Sequence, residues 1–134
     1  MPNVARDSAN PSRWVAIVDD DPSVRAALAR VLRTAGIGVE TFASAHEYLS
    51  ATMDREPMCL VLDVHLGGMT GFDLHDRLIA AGSHVPVVFI TAHDEVPTEE
   101  LERRAGPDGY LRKPFDGDQL LALLRRIAHA NTPR

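Results

Sequence analysis

Residues 58–71 read MCLVLDVHLGGMTG. An apolar run from Met58 to Leu62 stops on a carboxylate, Asp63, and a turn containing Gly67, Gly68 and Gly71 follows. A short unbroken apolar run between turn residues suits a strand covered on both faces, since neither face meets water. An acid at the carboxyl end of such a strand lies where open α/β sheets bind ligands. The rest of the chain is therefore read for what it brings to Asp63.

Upstream, Trp14 to Val18 is a first strand ending on Asp19-Asp20-Asp21. Asp21 suits a helix N-cap with Pro22 in the first turn. Val24, Ala27, Leu28, Val31, Leu32 and Ala35 then recur at helical spacing, and Gly36 stops the helix. Ile37 to Phe42 is a second strand. Ser44 caps a short helix to about Met53 that packs through Tyr48 and Leu49. Downstream, Gly71 opens a helix through Ala81, with Phe72, Leu74, Leu78 and Ile79 for its inner side. Val85 to Ile90 is a fourth strand ending on Thr91, and Pro86 is tolerable near its start. Pro97-Thr98 begins a charged helix to about Ala105 with few apolar anchors, expected to be the least firmly packed. Asp108 to Arg112 is a fifth strand followed by Lys113-Pro114-Phe115. Asp116 caps a last helix that turns Leu120, Leu123, Leu124 and Ile127 inward.

Five strands alternating with five helices predict an α/β domain, a doubly wound five-stranded parallel sheet covered on both faces. It spans residues 14–130, with residues 1–13 a disordered leader and 131–134 a tail. The 134 residues suffice for one domain. A net charge of −5 without a basic block argues against nucleic acid or an anionic membrane as a direct partner. One cysteine, Cys59 in the central strand, makes no internal disulfide. With no signal peptide or membrane-length apolar run, the cytoplasm is the default compartment.

In a parallel sheet all carboxyl ends lie on one side, so Asp19, Asp20, Asp63, Thr91 and Lys113 converge. Carboxylates so gathered repel; one pair at about 4 Å costs ~4 kcal/mol at an effective dielectric of about 20. A hard divalent cation relieves this, and oxygen ligands without a His or Cys cluster favour Mg²⁺. A lysine charge and a threonine hydroxyl then suit phosphate oxygens. Together these are the parts of phosphoryl transfer onto an aspartate.

The set resembles the receiver (phosphoacceptor) domain of bacterial two-component response regulators, of the FixJ type, over about Trp14 to Ala128. The matching pieces are VDDDPSVR, the acceptor strand LVLD, the ITA after strand four and the LRKPF after strand five. The resemblance implies the flavodoxin-like receiver fold, with Asp63 as the phosphorylated acid. It implies Mg²⁺ bound by Asp19, Asp20, Asp63 and the backbone carbonyl of His65. Thr91 and Lys113 would hold the phosphoryl oxygens, Tyr110 would be an aromatic switch, and the Lys113-Pro114 bond would be cis. His65, Ala92 and His93 would govern access to the phosphoryl group and its lifetime. A departure is Leu66-Gly67, where members usually carry Met-Pro, and Gly67-Gly68 should loosen that loop.

The implied partners are a sensor histidine kinase or a His phosphotransfer protein, and downstream a protein partner or a missing effector domain. No effector domain follows Arg134, so the sequence reads as a stand-alone receiver or an excised piece. Phosphorylation would alter the face of the fourth helix, fifth strand and fifth helix, from Pro97 to Ile127, through which a homodimer is also conceivable. Two other readings stand beside this one. A Mg²⁺-dependent phosphatase of the haloacid-dehalogenase type would use Asp19 as nucleophile, but that family's later acidic pair is missing. A constitutive binding platform would need no phosphate, and the intact acid, threonine and lysine set argues against it.

Overall fold

The computed structural model describes residues 14–51, 56–92, 96–106 and 109–130. The expected leader and tail lie outside these residues, as do Met53 and Asp108 at two expected element ends. The chain alternates strand and helix: β1 (Trp14–Val18), α1 (Pro22–Thr34), β2 (Gly38–Phe42), α2 (Ala45–Ser50), β3 (Cys59–Asp63), α3 (Gly71–Ala80), β4 (Val87–Ala92), α4 (Thr98–Ala105), β5 (Tyr110–Lys113) and α5 (Gly117–Ala130). The strands form one parallel sheet in the order β2-β1-β3-β4-β5. A two-stranded antiparallel ribbon pairs His65–Leu66 with Met69–Thr70 between β3 and α3.

Strand geometry splits the core in two, because successive side chains point to opposite faces. Ala16, Val18, Leu60, Leu62, Val87 and Phe89 pack beneath α2, α3 and α4. Val15, Ile17, Cys59, Val61, Val88 and Ile90 pack beneath α1 and α5, against Leu28, Leu32, Leu120, Leu124 and Ile127. Every residue of β1 and β3 is buried, which is why both read as unbroken apolar runs. Helices α1 and α5 approach closely at Gly117, where a Cβ would stand 2.9 Å from Cγ2 of Val31.

Caps set several boundaries. The Asp21 carboxylate accepts the Ser23 N–H at 2.8 Å, with Pro22 next in the chain. Ser44 accepts the Glu47 N–H at 3.0 Å. At α3 the cap is Thr70 rather than Gly71 alone: Thr70 and Asp73 exchange bonds in a capping box. At the start of α5 the bond runs through Gln119, whose Oε1 accepts the Asp116 N–H at 2.8 Å.

Some expectations are corrected. Ile79 is 56% exposed and Leu49 is 40% exposed, so neither faces the core. In α3 the inner side is made by Leu74, with Phe72 and Leu78 half-buried beside it. Strand β4 starts at Val87, two residues later than expected, so Pro86 lies before it and only its carbonyl joins the ladder, accepting the Leu60 N–H at 2.9 Å. The strand runs on through Thr91 to Ala92, and β5 includes Lys113.

Candidate functional site

The sheet order places the ends of β1, β3, β4 and β5 side by side. Asp63 is the last residue of β3 and only 5% exposed. Asp19 follows β1 and is 1% exposed, and Thr91 in β4 is fully buried. Lys113 ends β5 and is partly exposed. Its Nζ lies 3.6 Å from Asp19 Oδ2 and 4.0 Å from Asp63 Oδ2. The ammonium thus bridges carboxylates more than forty residues away in sequence.

Asp20 is exposed, yet carboxylate oxygens of Asp19, Asp20 and Asp63 all lie within 4.8 Å of one another. Asp19 Oδ1 accepts the Asp21 N–H at 2.9 Å. Asp19 Oδ2 is buried and, apart from the ion pair with Lys113 at 3.6 Å, has no hydrogen-bond partner among the described residues. A buried carboxylate oxygen so poorly satisfied, in an all-oxygen group, fits a hard divalent cation, which would complete its shell with water. Among the described residues, Asp19, Asp20 and Asp63 are the side chains grouped so that they could hold it.

Electrostatics agree with that reading. Burial first and the Asp19 charge second raise the Asp63 carboxyl to about 6, against the opposing Lys113 and the His65 N–H. Burial also raises Asp19, with the Asp21 N–H and Lys113 opposing. A single ammonium does not offset the desolvation of two buried acids, so the site is short of positive charge.

The other expected residues fall around this centre. His65 is exposed, and its N–H donates to Asp63 Oδ1 at 3.2 Å. Tyr110 is half-buried at the start of β5 and packs against the α2–α3–α4 side of the core. Thr91 Oγ1 donates to the Ala92 carbonyl at 3.4 Å. Ala92 is the Cα partner of Lys113 in the sheet register. The Lys113-Pro114 bond is cis. His93 lies outside the described residues.

Three contributors were not singled out from the sequence. Gly71 donates to the Val64 carbonyl at 2.7 Å, and a Cβ on it would collide with the main-chain oxygen of Asp63. Only glycine fits there, and nothing local in the sequence reveals it, because the obstacle lies eight residues back. Thr70 could have been found from its Thr-x-x-Asp pattern. Arg25 donates through Nη1 to the Asp19 carbonyl at 2.7 Å. The looseness expected of Gly67-Gly68 is answered by the ribbon, whose pairs His65–Thr70 and Leu66–Met69 close around them. A side chain at either glycine would meet open space.

A family model described as the response regulator receiver domain matches residues 15–125. Nodulation protein W of Bradyrhizobium diazoefficiens is 39% identical over 107 residues, covering 80% of this chain and 47% of that protein. Transcriptional regulatory protein FixJ of Azorhizobium caulinodans is 35% identical over 111 residues, covering 83% of this chain and 53% of that protein. The chain spans about half the length of these curated relatives. The crystal structure of a response regulator receiver protein from Burkholderia phymatum superposes with a TM-score of 0.75 at 40% identity, covering 90% of this chain and 98% of that one. None of these matches supports the haloacid-dehalogenase reading.

Proposed function

The chain belongs to the response regulator receiver domain family, and from that premise we propose that Asp63 is its phosphoacceptor in two-component signalling. The observation that carries this is Lys113 Nζ, 3.6 Å from Asp19 and 4.0 Å from Asp63 at the end of a separate strand. It joins the acceptor to the acids that would hold Mg²⁺. A carboxylate oxygen of Asp63 attacks the phosphorus of a phosphohistidine on a sensor kinase or a His phosphotransfer protein. The new P–O bond forms as the P–N bond breaks, and the departing imidazole keeps the electron pair and takes up a proton. When bound, Mg²⁺ neutralises charge on the phosphoryl oxygens. Asp19, Asp20, Asp63 and the His65 carbonyl would hold it.

Lys113 and the Thr91 hydroxyl then take the phosphoryl oxygens, and Tyr110 follows Thr91 inward. The surface of α4, β5 and α5 changes with them, and a downstream partner, a second copy or an effector domain reads it. His65, Ala92 and His93 set how water reaches the acyl phosphate. The domain works in the cytoplasm; no helix among the described residues is long and apolar enough to cross a membrane. Its own chemistry is confined to gaining and losing the phosphoryl group.

The test is intact-protein mass after incubation with Mg²⁺ and a small phosphodonor such as phosphoramidate. One phosphoryl adduct is expected on the wild type, none on Asp63→Asn and none with chelator. An adduct that persists in Asp63→Asn, or maps to Asp19, would sink this reading and favour the phosphatase.

A further inference from the structure

We propose that Arg25 is a positioning residue for the acidic cluster, holding the Asp19 main chain so that Asp19 and Asp20 present their carboxylates together to a divalent cation. This rests on the cation role proposed for Asp19, Asp20 and Asp63. Arg25 stands near the start of α1, where a cation opposes the helix dipole, so helix stability gives no reason for it. Its guanidinium reaches back six residues to the Asp19 carbonyl at 2.7 Å, a charge-assisted bond.

The other polar atoms of Asp19 are nearly all committed. Its N–H donates to the Phe42 carbonyl at 3.1 Å, and its Oδ1 accepts the Asp21 N–H at 2.9 Å. With the carbonyl held by Arg25, the peptide is fixed at three points. Oδ2 is the atom left without a hydrogen bond, and it lies on the side of the cluster that faces Lys113.

Two effects of Arg25 have opposite signs. Its charge repels a second cation, whereas its grip on the carbonyl orders the ligands in advance. The guanidinium contact is with the Asp19 carbonyl, on the main-chain side of the residue, and the proposal is that the ordering effect outweighs the repulsion. Removing the partner of a metal ligand lowers metal affinity by about 10–100-fold.

The experiment is calorimetric titration of Mg²⁺ into the full chain and into Arg25→Met, with far-UV circular dichroism and metal-free thermal midpoints alongside. Affinity is expected to fall about tenfold or more. Equal or tighter binding by the folded variant overturns the proposal. A merely structural Arg25 would lower the metal-free midpoint and leave the affinity of the folded protein unchanged. If Arg25→Met does not fold, Arg25→Gln takes its place, because its amide stops two atoms short of the carbonyl. The same loss is expected there, and wild-type affinity overturns the proposal equally. Failure of the wild type to bind Mg²⁺ would instead overturn the cation reading beneath it.

Discussion

At the scale of the residue, Asp63 carries a cost that its proposed chemistry requires. Its folded-state carboxyl sits at about 6, above the usual 3.8, chiefly through burial and then through Asp19. The folded form therefore binds a proton that the unfolded chain has already released. Such a group adds stability below the unfolded value, and the contribution disappears as pH climbs through about 6. Asp19 shifts in the same direction. In metal-free buffer the protein should lose stability as pH rises from about 4 to about 6, with a ceiling of about 3 kcal/mol for Asp63 over that whole window. Asp63→Asn cannot ionise, so it should flatten that slope and be the more stable protein at pH 7. Urea midpoints across the range measure this, and an Asp63→Asn slope as steep as the wild type's contradicts it. Asp63 and Lys113 were legible in the sequence because each closes a strand. Arg25 and Gly71 were not, because their reasons lie in main-chain atoms that no local pattern exposes.

At the scale of the element, α4 buries only Leu101 and Ala105 and has no side-chain cap. Two guanidinium groups supplement that thin apolar footing. Arg104 donates to the Phe72 carbonyl at 2.9 Å and to Asp76 at 3.1 Å, and lies 4.8 Å over the Phe72 ring. Phe72 in turn meets Phe89 of β4 at 4.9 Å. From β5, Arg112 donates to the Val96 carbonyl at 2.8 Å and to Thr98 Oγ1 at 2.9 Å. Polar clamps are easier to exchange than a packed core, which suits the shift of α4 proposed above. Arg104→Ala should loosen α4 by about 1 kcal/mol, roughly fivefold in local opening. Hydrogen exchange should quicken in α4 and stay unchanged in α1 and α5; equal protection in α4 would remove the clamp's role. The scarcity of apolar anchors was readable from residues 97–105. The clamps were not, since Arg104 meets a carbonyl 32 residues away. Ile79 and Leu49 misled for a related reason: an apolar residue at helical spacing is no guarantee that the neighbouring layer extends far enough to cover it.

At the scale of the whole molecule, unbroken apolar runs alternating with helical periodicities made the parallel, doubly wound class legible, because only a sheet covered twice leaves strands like β1 and β3 wholly buried. Periodicity does not encode which strand neighbours which, and the order β2-β1-β3-β4-β5 emerges only when both core layers close. The cluster of acids joins the ends of β1 and β3, so an ion bound there ties central parts of the fold together. Mg²⁺ at a hundred times its dissociation constant should add about 2.7 kcal/mol to unfolding. Asp20→Ala should abolish that gain, and an unmoved urea midpoint in the wild type would show that the ion does not bind. The strand order also fixes how the molecule meets its neighbours. Its two flanks are β2, with Glu40 and Thr41 exposed, and β5, with Arg112 and Lys113 partly so. Charged side chains on a sheet's open rims deter a stranger's backbone from zipping on. Sheet-to-sheet growth from copy to copy, and the fibres it would build, are thereby disfavoured.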